Sequence, residues 1–249
     1  HLMLKLGMSP QRLKAFTLSV NGGADADQAH TFMDQLGLSL FLEVIDVPLS
    51  AVNYRDAIEV IEDYKTLDLE SATMSLALCR QIRQLYPNWE YLADGEGGDE
   101  NLKDYPIEAN PELTIRSVLN NTMLYQEGWG VDKIKHSLTY SGGQSRGHVR
   151  TYAPARKYGF KGFSPYALPN VIEVAEGIPF IALTNWNEET LYALKGEVVS
   201  RGIKAVTGFD MPVFEKRRFQ AGAVPPDAFS GIFANNEKEY RTYFHSLYA

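Results

Sequence analysis

The stretch KAFTLSVNGGADADQAHTFMDQLGLSLFLEVIDV, residues 14–47, holds two apolar segments separated by an amphipathic one. Lys14–Val20 is apolar or β-branched at most positions and ends at the turn sequence Asn21-Gly22-Gly23, so it is predicted to be a buried strand. Asp27–Leu36 carries apolar residues at helical spacing. Leu40–Val47 is apolar on both faces, as a strand inside a parallel sheet requires. The stretch therefore predicts a β-α-β unit.

The chain after this unit extends the same pattern. Helices are predicted over Tyr54–Tyr64 and Glu70–Tyr86, and a short strand over Glu90–Ala93. This order of elements predicts an α/β fold with a doubly wound parallel sheet and helices on both faces. The second half is predicted to be mostly helical, in the segments Glu112–Gln126, Val131–His136, Ala167–Glu176 and Glu188–Ser200. Without a linker or a repeat, residues 1–249 are predicted to form one domain.

Composition excludes several classes of protein. The formal net charge is −7 over 249 residues, which argues against the basic field of a nucleic-acid-binding protein. No run of about 18 apolar residues is present, so no membrane span is expected. Cys79 is the only cysteine, so no disulfide can form within the chain. This fits a reducing compartment and predicts a cytoplasmic protein.

The sequence Asp94-Gly95-Glu96-Gly97-Gly98-Asp99-Glu100 directly follows the third predicted strand. Ligands of open α/β sheets bind at the carboxyl ends of strands, and glycines let the backbone approach them closely. Two unit charges ~4 Å apart repel by roughly 4 kcal/mol at an effective dielectric of about 20, so four clustered carboxylates favour a bound cation such as Mg²⁺. A solvated acidic turn remains an alternative. A calcium loop fits less well, because the spacing lacks the distal Glu of an EF-hand.

Several segments, taken in order, resemble the asparagine synthase-like family of N-type ATP pyrophosphatases. The acidic loop within Ala93–Tyr105 (ADGEGGDENLKDY) is similar to that family's Gly-Glu-Gly-x-Asp-Glu loop. Glu215–Gly222 (EKRRFQAG) resembles its Arg-x-Lys-x-x-Phe-x-x-Gly element, and Ala15–Val20 resembles its adenine-contacting strand. Two further stretches lie between the acidic loop and Glu215–Gly222 and resemble the family's substrate-side segment: Phe163-Ser164-Pro165-Tyr166 and Ile178-Pro179. The resemblance implies an adenine nucleotide alpha hydrolase-like fold.

By this resemblance the chain is expected to bind ATP and Mg²⁺ and to activate a carboxylate substrate for amide formation with ammonia or an amine. Glu96 matches the catalytic glutamate, Asp99 the Mg²⁺ ligand and Lys216 the lysine that neutralises the phosphates. The residues expected to bind the nucleotide are Leu18, Val20, Asp94 and Gly95. A glutaminase domain or subunit is an expected partner, and neither nucleic acid nor a membrane is.

The chain also departs from the family. The signature Ser-Gly-Gly-x-Asp-Ser phosphate loop is not in this sequence, and Ser141-Gly142-Gly143-Gln144-Ser145 lacks its aspartate and stands in the wrong order. His1–Leu6 reads as the interior of an uncapped helix, so the synthetase domain is expected to be incomplete at its amino terminus. Two further hypotheses stay open. One is a family member that has lost catalysis and serves as a binding or scaffold protein. The other, which the acidic charge disfavours, is a tRNA-modifying enzyme.

Overall fold

A computed structural model describes residues 1–103, 114–120, 148–214, 218–234 and 236–249. The described chain is a mixed α/β structure, mostly helical, with small parallel sheets. The strands are β1 (Ala15–Val20), β2 (Leu42–Val47), β3 (Tyr91–Ala93) and β4 (Lys161–Phe163). The helices before residue 121 are α1 (Leu2–Lys5), α2 (Ala24–Gln35), α3 (Tyr54–Ile61), α4 (Thr66–Leu85), α5 (Gly98–Asn101) and α6 (Ile115–Asn120). The later helices are α7 (Ala153–Lys157), α8 (Pro169–Glu176), α9 (Phe180–Thr184), α10 (Glu188–Thr207), α11 (Phe219–Gly222), α12 (Pro226–Ile232) and α13 (Glu237–Ser246).

The contacts divide the chain into two compact units. The first comprises His1–Glu90, Val149–Lys161 and Ser200–Ala249, and the second comprises Tyr91–His148 and Gly162–Val199. None of the helices in the described ranges combines the length and the apolar character that a bilayer crossing needs.

The first unit is built on the predicted β-α-β stretch. β1 and β2 pair in parallel with Ala15 opposite Leu42 and Val20 opposite Val47, and α2 packs on both strands. Helix α4 also packs against this pair, and α3 lies against α4. The buried side chains that form this core include Leu18, Ile45, Ile58, Leu69 and Met74. This part of the fold confirms the β-α-β prediction.

Arg83, in the last turn of α4, holds the chain that follows the helix. Its guanidinium donates hydrogen bonds to the carbonyl oxygens of Tyr158 (2.7 Å), Pro87 (2.6 Å) and Trp89 (2.9 Å). The same group lies 3.8 Å from the centre of the Phe160 ring. The planar guanidinium of Arg83 carries several N–H donors, so it can stack on the Phe160 ring and bind carbonyl oxygens at the same time.

The second unit contains β3, β4 and a helical core. Two hydrogen bonds join β3 and β4 with the spacing of a parallel pair of strands. They run from Lys161 N to Glu90 O (2.7 Å) and from Asp94 N to Phe163 O (3.1 Å). The core consists of Val118, Leu119, Phe180 and Leu191, which lie on α6, α9 and α10.

The single doubly wound sheet that the sequence predicts is not confirmed. β1 pairs with β2 in one two-stranded sheet, whereas β3 pairs with β4 in another. The sequence did not predict β4, because three residues are too few to show a strand period. The second predicted strand also starts too early: Leu40 lies in a 3₁₀ turn, is 92% exposed, and precedes the strand that begins at Leu42.

The predicted helices differ from the observed ones mainly at their ends. Helix α4 begins at Thr66 rather than Glu70, and α10 continues to Thr207 rather than Ser200. Of the predicted helix Glu112–Gln126, only Ile115–Asn120 is described as helical, and Val131–His136 lies outside the described residues.

Candidate functional site

The acidic glycine loop starts where β3 ends, as the sequence predicts. Asp94 continues the pairing of β3 through the hydrogen bond from its N–H to Phe163 O. Its carboxylate then accepts a hydrogen bond from the backbone N–H of Glu96 at 3.0 Å, which is an Asx turn. Gly97 adopts a φ of +88°, a conformation that a side chain would strain, and Gly98 begins α5. The local sequence thus turns the chain sharply at the end of the strand.

Ser164 and Tyr166 brace this loop. The buried Ser164 hydroxyl donates to the Glu96 carbonyl oxygen at 2.5 Å and accepts from the Tyr166 N–H at 3.2 Å. The Tyr166 carbonyl oxygen accepts from the Asn101 side-chain amide at 2.6 Å. A Cβ atom on Gly98 would lie 3.4 Å from the Tyr166 ring, so the aromatic side chain also covers the loop backbone. Two segments that resemble the same family therefore touch in the structure.

The carboxylates of the loop differ in exposure. Asp94 and Glu96 are half-buried, whereas Asp99 is exposed. No three His, Cys, Asp or Glu side chains of the described chain lie close enough together to form a metal site. A nucleotide-bound Mg²⁺ needs only one or two protein carboxylates, because phosphate and water oxygens complete its shell. The exposed carboxylate of Asp99 is a hard oxygen donor of the kind that can bind a Mg²⁺ shared with a phosphate ligand, without an all-protein cage.

The backbone of β1 presents half of its polar groups away from β2. Asn21 N donates to Val47 O at 3.4 Å, so the backbone polar groups of Asn21 point toward β2. Because these groups alternate between the two edges of a strand in a parallel pair, those of Val20 and Leu18 point to the edge away from β2. The Val20 N–H is taken up by the Ala223 carbonyl oxygen at 2.8 Å. Of the two residues predicted to contact adenine, Val20 thus has its amide committed within the protein, while Leu18 is completely buried.

Lys216 lies outside the described residues, but the segment that follows it is described. Helix α11 packs against α4 and α2 in the first unit. Gly222 approaches α2 closely, because a Cβ atom there would lie 2.0 Å from the Asp25 carboxylate of that helix.

Two buried carboxylates on α4 were missed by the sequence analysis. Asp68 pairs with Arg150, with 2.7 Å between Oδ1 and Nε. Glu70 accepts a hydrogen bond from the Gln220 side-chain amide at 3.3 Å. Burial raises the pKa of Glu70, and the hydrogen bond from Gln220 and the positive charge of Arg218 oppose this rise. Glu70 and Gln220 are 150 positions apart in the chain, so no local pattern could have paired them.

Two further features belong to the first unit. Cys79 is buried on α4. Asp25 and Asp27 stand in the first turn of α2, where negative charge interacts favourably with the helix dipole. The loop Ser141–Ser145 lies outside the described residues.

No protein-family model matches this chain, and no curated protein matches it either. The expected likeness to asparagine synthase-like enzymes therefore rests on the sequence motifs alone.

Proposed function

We propose that this chain is the synthetase part of an ATP-dependent carbon–nitrogen ligase of the asparagine synthase-like type. It activates a carboxylate substrate with ATP and passes the acyl group to ammonia or an amine. The observation that carries this proposal is the acidic glycine loop at the carboxyl end of β3, with its backbone fixed by Ser164 and Tyr166. A solvated acidic turn has no need of a buried serine or an aromatic cover, whereas a nucleotide-binding loop needs a rigid backbone.

The proposed reaction has two steps. A carboxylate oxygen of the substrate attacks the α-phosphorus of ATP, the bond from that phosphorus to the bridging oxygen breaks, and pyrophosphate leaves. The nitrogen of ammonia or an amine then attacks the acyl carbon, and AMP leaves with the oxygen of the former carboxylate. The attacking nitrogen must lose a proton, and an acceptor at the loop would make this transfer efficient.

Glu96 is proposed as that proton acceptor. Its carbonyl is tied to Ser164, so its position along the loop is fixed while the half-buried carboxylate extends from it. Asp99 is proposed as the ligand of Mg²⁺, which supplies charge neutralisation for the phosphates when it is bound. Asp94 and Gly95 form the turn that places both residues, which supports their role as nucleotide contacts.

The other expected contacts rest on the resemblance. These are adenine contacts from Leu18 and Val20 and neutralisation of phosphate charge by Lys216. The Val20 N–H is already bonded to Ala223 O and Leu18 is completely buried, so neither contact gains support from the described geometry. The proposal also includes a doubly wound sheet and a glutaminase partner that supplies ammonia. It includes a cytoplasmic location, because a chain with Cys79 as its only cysteine can form no internal disulfide.

Pyrophosphate release tests the proposal directly. The full-length protein is incubated with ATP, Mg²⁺ and a panel of carboxylates, with ammonia or glutamine as nitrogen source. We expect pyrophosphate and AMP in equal amounts with at least one carboxylate. Glu96→Gln should lower amide formation, because the amide side chain cannot accept the proton.

The matched control is Glu173→Gln, which neutralises an exposed carboxylate on α8 in the same unit. It should leave the rate unchanged. If ATP binds but no carboxylate releases pyrophosphate, the binding or scaffold hypothesis replaces the enzyme. If ATP does not bind at all, the proposed function is wrong.

A further inference from the structure

Tyr166 is held in place through both of its backbone polar groups. Its N–H donates to the Ser164 hydroxyl at 3.2 Å, and its carbonyl oxygen accepts from the Asn101 side-chain amide at 2.6 Å. Both partners are buried, and Tyr166 itself lies in the short 3₁₀ turn Pro165–Ala167 that follows β4. The tyrosine side chain therefore extends from a fixed backbone.

The ring of Tyr166 lies against two glycines of the acidic loop. A Cβ atom on Gly97 would lie 3.5 Å from Tyr166 Cβ. One on Gly98 would lie 3.4 Å from Cε2 and 3.7 Å from Cζ, the ring carbon that carries the hydroxyl. The hydroxyl-bearing end of the ring therefore lies beside Gly98, the residue before Asp99. All of these residues belong to the second unit.

The phenolic hydroxyl of Tyr166 is not used within the protein. The residue is half-buried, yet no hydrogen bond among the described residues involves this hydroxyl. By contrast, the hydroxyls of three other tyrosines, Tyr54, Tyr86 and Tyr243, each donate to a glutamate. A hydroxyl on a fixed ring, with its donor unused by the described chain, is preorganised to bind a ligand.

The backbone donors of the acidic loop are already engaged. Glu96 N–H donates to the Asp94 carboxylate at 3.0 Å, and Gly98 N–H donates to Gly95 O at 3.1 Å. Ionised carboxylates accept hydrogen bonds but cannot donate them. An oxyanion that binds beside these residues therefore needs a donor from another part of the site. A neutral phenol can provide one, and hydrogen bonds to charged acceptors are the stronger kind.

We propose that Tyr166 is a specificity-determining residue whose hydroxyl donates to an oxyanion bound at the acidic glycine loop. This oxyanion is either the carboxylate of the substrate or a phosphate of ATP. The inference rests on the proposed function and deepens it, because it adds a ligand contact to the same site.

Tyr166→Phe in the full-length protein tests the inference, because it removes the hydroxyl and keeps the ring beside Gly98. The melting temperature should stay at the wild-type value, since the hydroxyl bonds no group of the described chain. If the oxyanion is the carboxylate, kcat/KM for the carboxylate that supports pyrophosphate release should fall roughly tenfold or more. If it is a phosphate, the affinity for ATP with Mg²⁺, measured by calorimetry, should fall by about the same factor.

Tyr248→Phe is the matched control, because it removes an exposed hydroxyl in the first unit. It should change none of the three quantities. Unchanged kcat/KM and unchanged ATP affinity in Tyr166→Phe would overturn the inference and leave the proposed function intact. A lowered melting temperature would do the same, because it would give the hydroxyl a structural role. Wild-type protein that neither binds ATP nor releases pyrophosphate would overturn both.

Discussion

The Ser164 hydroxyl donates a hydrogen bond to the carbonyl oxygen of Glu96 at 2.5 Å, across 68 positions of the chain. This contact joins the acidic loop to the segment 164–166, which follows β4 directly. Because Ser164 is 2% exposed, no water competes for the bond.

Ser164→Ala should loosen the acidic loop. The substitution removes the donor to Glu96 O and the acceptor for Tyr166 N, and both groups belong to half-buried residues. We expect a loss of roughly 1–3 kcal/mol in the free energy of unfolding, measured by urea denaturation, together with slower pyrophosphate release. Ser230→Ala, at an exposed position of α12, should change neither quantity. Unchanged stability in Ser164→Ala would show that the hydroxyl does not brace the loop.

Binding of ATP should depend on Mg²⁺ through Asp99. Calorimetric titration is expected to show much tighter binding with Mg²⁺ than with EDTA, because the clustered carboxylates repel a triphosphate that carries no metal. Asp99→Asn should remove most of this difference. Asp210→Asn, which neutralises an exposed carboxylate in the first unit, should not. Equal affinity with and without Mg²⁺ in the wild-type protein contradicts the prediction.

Lys216→Ala should lower the rate of adenylation by roughly 10²–10³-fold, the scale of losing one preorganised electrostatic stabiliser. The loss should appear mainly in kcat if the ammonium interacts more strongly with the transition state than with bound ATP. Arg217→Ala controls for the loss of general positive charge and should have a smaller effect. Normal turnover by Lys216→Ala would mean that the match of this segment to the family element is accidental.

Gly23→Ala should destabilise the first unit by about 3 kcal/mol or more, because backbone atoms of Ala223 occupy the space of the new Cβ atom. The φ of Gly23 is −67°, so the requirement for glycine is one of space and not of conformation. Gly202→Ala in α10 is the control: nothing lies within 4 Å of its Cβ position, and alanine there should stabilise the helix by about 1 kcal/mol. Equal melting temperatures for the two variants would disprove the steric argument.

Glu70 should make stability depend on pH. Burial raises its pKa above the ordinary value of 4.5, so the folded protein binds a proton more tightly than the unfolded chain. Its favourable contribution is therefore complete below about pH 4.5 and is lost as the pH rises through the folded-state pKa. Glu70→Gln should remove this loss and raise the melting temperature at neutral pH relative to the wild type.

Urea denaturation at several pH values checks the prediction for Glu70. The matched variant is Glu197→Gln, an exposed carboxylate on α10, which should retain the pH dependence of the wild type. A Glu70→Gln protein with the same pH dependence as the wild type would show that Glu70 is not its source.

Local patterns in the sequence were sufficient for the elements whose signal is contained in neighbouring residues. The strand ending at Val20, the helix α2, the long helix α4 and the glycine turn after Ala93 all follow from periodicity, apolar runs or turn residues. These features depend on backbone preferences and on which face of an element is apolar, and both are written in consecutive residues.

Pairings between distant residues were decided by the tertiary structure alone. The brace of Ser164 on Glu96 and the burial of Glu70 against Gln220 join residues 68 and 150 positions apart. The division of the strands between two small sheets was likewise decided only by folding. Such contacts form because a buried polar group needs a partner wherever the folded chain supplies one, and sequence spacing carries no record of that choice. The acidic loop could thus be found by reading residues 94–100, whereas the groups that hold it in place appear only once the chain is folded.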